Sequence, residues 1–440
     1  MAKSDKPGKK KIDYPWWMET LAAIGAAATI AVIITLFFSV GRRPERLVPT
    51  QAPAVGAPEF LAAVAGTAGA PLRKGGTVHL LNNGVEFFPA LLQAIGAARQ
   101  TITFSVYIWE AGQASDQVSA ALIERARAGV EVRVLLDSMG ALHAPGKTID
   151  AMKKAGVKVE TFRPLRLGKL TRFHQRNHRR AIVIDGDIGF TGGMAVADKW
   201  LGDADSKEHW RDTMVKVTGP LAASLQSAFA PLWAYASGEL LAGRAFFPPD
   251  NVEGDDGGML HTGLPSSPSS EDHPLRLFFV QSFAAARQRL YITTPYFVPD
   301  EGTRRVAEDR ARAGVDVRIL LPDDHTDAKP IRLTSQRYYE EMMEAGIRLY
   351  EYQSTMMHTK HVIVDGKWSI VGSANMDIRS KELNMENVLG ILDAGFASEL
   401  EATFRKDLEK SKEIRLGEWR RRGMIHQVLE RVCALFAEQY

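Results

Sequence analysis

The first long hydrophobic signal is a run without charge, "LAAIGAAATIAVIITLFFSV" (21 to 40). Its length matches a membrane-spanning helix. Trp16 and Trp17 stand before it at the level of an aromatic belt, and Arg42 and Arg43 close its far end. A cleaved signal peptide would have a shorter apolar region with a small-x-small site directly after it, and none follows at once. The pattern therefore predicts a basic N-terminal segment over 1–19 and one transmembrane anchor over 20–40. Five lysines (Lys3, Lys6, Lys9, Lys10, Lys11) precede the span against Arg42, Arg43 and Arg46 after it. That bias places the N-terminus in the cytoplasm and the rest of the chain outside it.

Beyond the span the pattern is written twice. Residues 41–75 are rich in Pro and Ala without periodicity and read as a tether. Residues 247–274 are polar and full of helix and strand breakers, and read as an interdomain linker. They delimit two domains of similar size, 76–246 and 275–440. Each domain begins with an apolar strand pattern, "TITFSVYIW" (101 to 109) and "LYITTPYFV" (290 to 298). "ARAGVEVRVLL" (126 to 136) recurs as "ARAGVDVRILL" (311 to 321), and "KKAGVKVETF" (153 to 162) is echoed more weakly by "MEAGIRLYEY" (343 to 352). Strands alternating with helices predict an α/β fold, a sheet flanked by helices in each half. A duplicated fold pairs its halves about a pseudo-twofold axis, which would bring equivalent strands to a shared cleft.

The clearest repeat carries chemistry. "HRRAIVIDGDIGFTGGMA" (178 to 195) is answered by "HTKHVIVDGKWSIVGSAN" (358 to 375). Alternation along a strand puts His178 with Arg180, and His358 with Lys360, on one face, while Asp185 and Asp365 fall off that face. The turns Gly192-Gly193 and Gly372-Ser373 let backbone N–H groups approach an anion. Two imidazoles and two cations in one cleft suit a phosphodiester, whose charge must be neutralised before attack. One imidazole can attack phosphorus while the other, protonated, serves the leaving alkoxide, which predicts opposite starting protonation. A single histidine near a strand is ordinarily structural. The repetition of the whole spacing in matching places carries the chemical reading.

Composition narrows this further. A net charge of +3 over 440 residues does not by itself imply nucleic-acid binding, and the lone Cys433 excludes an internal disulfide and a thiolate metal cluster. The C-terminus, "EIRLGEWRRRGMIHQVLERVCALFAEQY" (413 to 440), mixes Arg420, Arg421 and Arg422 with Trp419 and an apolar face. It reads equally as a basic amphipathic interfacial helix and as a helix packed on the domain with solvated arginines. His361 faces away from Lys360 and reads as structural, and His174 as a surface or substrate-access residue. Tyr107 and Tyr296 hold matching strand positions.

At these motifs the chain resembles the phospholipase D superfamily, marked by two H-x-K-x4-D-x6-G-[GS] motifs, and within it the bacterial cardiolipin synthase branch. The second copy fits throughout with His358, Lys360, Asp365, Gly372, Ser373 and Asn375. "NME" (384 to 386) matches the downstream N-x-E, giving Asn384 and a histidine-orienting Glu386, and Asp212 in "HWRDTMVKVTGP" stands where that branch has the corresponding acid. The resemblance, over about 76 to 410, implies two phospholipase D-type domains with mixed β-sheets and the active site at their interface. It implies no metal or other cofactor, a phosphohistidine intermediate, and transfer of a phosphatidyl group. His178 would be the nucleophile and His358 the acid, with Arg180, Lys360, Asp185, Asp365, Asp212 and Glu386 completing the catalytic set. Asn375, Ser373, Gly372, Gly192, Gly193 and Asn384 would bind substrate. The expected partners are a phospholipid, phosphatidylglycerol, and a bacterial cell membrane, with no nucleic acid. Arg180 and Ala195 depart from the lysine and asparagine of the pattern. Hydrolysis to phosphatidic acid, and a lipid-binding protein without turnover, stand as the alternatives.

Overall fold

The structure is a computed structural model that describes residues 15–38, 47, 49–164, 174–249, 251, 258–268 and 273–435. The chain divides into two units, Met1–Pro44 and Glu45–Tyr440. In the first, the backbone from Trp16 to Phe38 is helical. The side chains of residues 27, 28 and 30–40, most of the expected membrane span, lie outside the described residues. Among the described residues no helix is long and apolar enough to cross a membrane.

The second unit is built on two sheets. The seven-stranded sheet runs Val78–Asn82, Thr213–Thr218, Ile188–Gly192, Ala181–Ile184, Thr101–Val106, Glu131–Asp137, Lys158–Phe162. The nine-stranded sheet repeats that order with Leu260–Ser266, Glu386–Leu392, Trp368–Gly372, His361–Val364, Arg289–Thr293, Asp316–Pro322 and Arg348–Tyr352. It adds Leu72–Lys74 at one edge and Ser411–Ile414 at the other. In both, the last three of the seven common strands are parallel and the remainder antiparallel, so each sheet is mixed.

The strands that follow the histidine motifs are apolar apart from His361, because both faces are covered. Ile182 and Ile184 join the outer core of the first half, whereas Ala181 and Val183 face inward. Val362 and Val364 are outward and Ile363 inward in the second half. The inward faces of both sheets share one hydrophobic layer with the equivalent helices Pro220–Ser237 and Ala394–Glu409. That shared layer makes the two halves a single packed body.

Two segments differ from expectation. Within 41–75, expected as a tether, Pro58–Ala68 is a helix that buries Phe60 and Val64 in the core of the second half, and Leu72–Lys74 pairs antiparallel with the strand Leu260–Ser266 in the register Leu72–Thr262 to Lys74–Leu260. Within 247–274, expected as a linker, Leu260–Ser266 is a strand between Leu72–Lys74 and Glu386–Leu392. Each element is stable through partners far along the chain, and its own composition carries little trace of them.

Candidate active site

His178 and His358 sit in extended segments just ahead of strands Ala181–Ile184 and His361–Val364, one turn of chain earlier than the strand placement expected. Backbone bonds across the halves hold these segments. His178 N–H donates to Met385 O at 3.0 Å, and Met385 N–H to Arg176 O at 2.9 Å. His358 N–H donates to Arg211 O at 2.7 Å, and Arg211 N–H to Met356 O at 2.9 Å. Each link grips the residue immediately before an acid, so Glu386 is delivered to the first-half histidine and Asp212 to the second-half one.

The side chains complete the exchange. His178 Nδ1 lies 2.9 and 3.0 Å from the two carboxylate oxygens of Glu386. His358 Nδ1 lies 2.6 Å from Asp212 Oδ2. The carboxylates are themselves fixed. Glu386 accepts from Ser373 Oγ at 2.5 Å and Ser380 Oγ at 2.9 Å. Asp212 accepts from Trp200 Nε1 at 3.0 Å and from Thr213 N–H at 2.8 Å. Trp200 and Ser380 are equivalent positions, each eight residues after the motif glycine. Extending the repeat that far would have found them, although a tryptophan and a serine share no obvious chemistry until both are seen donating to a carboxylate. At Gly193, a Cβ would stand 2.2 Å from Asp212 Oδ1, so glycine there makes room for the acid.

The cations occupy equivalent stations. Arg180 Nη1 donates to His178 O at 2.7 Å and Lys360 Nζ to His358 O at 2.7 Å. Both residues are buried, and Arg180 Nε has no protein partner among the described residues. Burial, then the adjacent cations, hold both imidazoles well below the usual histidine range. These influences favour the neutral form of both rings, and Arg180 and Lys360 act on the two alike, so they do not push the rings towards the expected opposite protonation. Burial also pushes Glu386 up to about 7 and Asp212 up to about 6, and brings Lys360 down to about 7.

The ring environments differ. Tyr107 stands edge-on to His178 at 5.1 Å between centroids. His358 is surrounded by Trp200 at 5.5 Å, Trp210 at 5.2 Å and Tyr296 at 6.3 Å. The tryptophans were not singled out from sequence. His361 Nε2 instead meets Thr293 Oγ1 at 3.0 Å inside the sheet.

Asp185 and Asp365 do not touch the histidines. Asp185 accepts the backbone N–H groups of Arg99, Gln100 and Thr101, and Asp365 those of Arg287, Gln288 and Arg289. Placing them in the catalytic set is thus corrected: both, at φ 51°, cap the loop that enters a neighbouring strand. Gly192 and Gly372 adopt φ 149° and 156°, and a Cβ at either would meet the Thr213 or Asn387 carbonyl oxygen at 2.3 Å. Asn375 and Asn384 are buried with side-chain oxygens that lack a protein partner among the described residues.

A family model described as "Cardiolipin synthase, PLD-like domain" matches residues 91–233 and 279–408. The chain is 38% identical over 362 residues to cardiolipin synthase A of Pseudomonas fluorescens (strain SBW25), covering 82% of this chain and 74% of the relative. It is 33% identical over 377 residues to cardiolipin synthase 1 of Bacillus anthracis, covering 84% and 74%. Among solved structures, phosphatidylserine synthase of Haemophilus influenzae Rd KW20 superposes with a TM-score of 0.67 at 16% identity, over 86% of this chain and 97% of that one. That likeness concerns the fold.

Proposed function

The chain belongs to the cardiolipin synthase, PLD-like family of the phospholipase D superfamily, and from that premise we propose that it is a phosphatidyltransferase that joins two phosphatidylglycerols into cardiolipin and glycerol. The observation that carries the reading is the crossed pairing of His178 with Glu386 and His358 with Asp212 beside Arg180 and Lys360.

The chemistry follows from that arrangement. With Nδ1–H donated to a carboxylate, a neutral imidazole keeps its lone pair at Nε2. His178 Nε2 attacks the donor phosphorus, and the bond to the glycerol oxygen breaks. A bound phosphodiester offsets the pull of the two cations on the rings and allows His358 to carry the proton that the glycerol alkoxide takes. The phosphatidyl group then rests on His178. A headgroup hydroxyl of the second phosphatidylglycerol loses its proton to His358 and attacks phosphorus, and the P–N bond breaks to give cardiolipin. Arg180 and Lys360 neutralise the phosphoryl oxygens throughout. In this reading the apolar run 20–40 anchors the enzyme in the cell membrane, supported by its uncharged sequence and helical backbone. The test is purified protein with labelled phosphatidylglycerol in vesicles. Cardiolipin and glycerol are expected; phosphatidic acid would identify hydrolysis, and no product from folded protein would overturn the reading.

Arg180 and Ala195 fit the same chemistry as a linked pair. A guanidinium has more donors than an ammonium, in a rigid fork matched to phosphate. Arg180 spends Nη1 on His178 O and keeps Nε free, a donor available in place of the asparagine amide missing at Ala195. Arg180→Lys is expected to lower kcat about 10²-fold, the scale for one lost anion donor, and Ala195→Asn to restore much of it. Additive effects in the double-mutant cycle would reject the pairing.

A further inference from the structure

The helix Met424–Ala434 is packed with its amphipathicity reversed. Glu430, 1% exposed, points inward, where Arg422 donates to it through Nε at 2.8 Å and Nη2 at 3.0 Å. His426 Nε2 meets Gln336 Oε1 at 3.0 Å on the neighbouring helix Lys329–Gln336. The apolar side chains Met424, Ile425, Val428, Leu429 and Val432, with Leu435 one residue beyond, form a stripe on the opposite side, and Met424, Ile425 and Leu435 are 79%, 79% and 81% exposed. A stripe of this extent left in water marks an interaction surface.

Its surroundings select the occupant. Arg420 is neutralised by Glu340 and Glu344, and Arg422 by Glu430. Arg421, just ahead of the stripe, and Arg431, beside it, are exposed and have no carboxylate partner among the described residues. An isologous contact with a second copy would set these arginines against their own images. An anionic phospholipid surface satisfies both features, taking the apolar stripe into the acyl boundary and the guanidinium groups at its phosphates. One element links the helix to the reaction site. Lys329–Gln336, on which it packs, begins two residues after Asp327, which accepts the Tyr296 hydroxyl at 2.7 Å, and the Tyr296 ring faces His358. We infer that Met424–Leu435 is a second membrane contact, which seats the active-site rim on an anionic phospholipid surface. The inference rests on the proposed phospholipid substrate and is tested without reference to turnover.

Cys433 is the only cysteine of the chain, so Cys433→Ser provides a clean background for single labels. The full chain is labelled with a bimane at Val428→Cys, on the stripe, or at Gln427→Cys, away from it. Each protein is reconstituted in vesicles of phosphatidylcholine, with or without phosphatidylglycerol, whose acyl chains are brominated. Quenching at 428 several-fold above that at 427 is expected, stronger with phosphatidylglycerol. Arg421→Gln with Arg431→Gln should weaken the phosphatidylglycerol-dependent part about fivefold per arginine. Equal quenching at both labels would overturn the inference. So would shielding of 428 that is the same without bromine and grows with protein density, since that outcome assigns the stripe to a second copy. Cardiolipin formation in the same vesicles is scored separately, so either reading can fail alone.

Discussion

His178→Ala is expected to lose about 10⁴-fold or more in the transferase rate, the scale found when one member of a catalytic unit is removed. His358→Ala should fall by a similar factor on phosphatidylglycerol, because departure of an alkoxide needs a proton. The two are separated by a phosphatidyl nitrophenyl ester, whose phenolate leaves unaided. On that substrate His358→Ala should release a stoichiometric burst of nitrophenolate and hold the phosphatidyl group on His178, detectable by mass spectrometry of the peptide. His178→Ala should give neither. A burst from His178→Ala, with the label on His358, would reverse the assigned roles. Normal turnover after either substitution would discard the two-histidine mechanism.

Glu386→Gln is expected to reduce kcat by about 10³–10⁴-fold with little change in KM, equivalent to about 4–5.5 kcal/mol of transition-state stabilisation. The carboxylate meets His178 Nδ1 with both oxygens, and an amide can present its NH2 instead, which reverses the tautomer and removes the lone pair from Nε2. Asp212→Asn should act on His358 in the same way. The acids also set a pH limb. Both must be ionised, and burial raises them to about 7 and about 6, so the wild-type rate should fall as pH drops through that interval. The limb belongs to the coupled cluster. In Glu386→Gln the remaining acidic limb should move towards 6, and in Asp212→Asn it should stay near 7. An unchanged profile in both variants would show that the carboxylates do not control the active protonation state.

The repeat made the centre of the site legible. His178, Arg180, His358 and Lys360 stand out because the same spacing occurs twice in matching halves, and the structure brings all four together. Glu386 and Asp212 were legible only through a family pattern. Their histidines lie 208 and 146 residues away, and no local periodicity encodes a contact of that separation. Asp185 and Asp365 mislead for the opposite reason. They belong to the motif by spacing, yet their oxygens are taken by backbone N–H groups that fold back against them.

By itself, the sequence determined the duplication, the α/β alternation and the histidine–cation pairs, because each is written in short-range periodicity or in repetition. The tertiary structure alone decided which acid serves which ring, that burial and the cations press both imidazoles towards the neutral form, that Pro58–Ala68 and Leu260–Ser266 belong to the second half, and that the last helix turns Glu430 inward and its apolar stripe outward. Those outcomes depend on burial and on partners distant in the chain. Desolvation and long-range packing are properties of the assembled body, and a residue's neighbours in sequence do not set them.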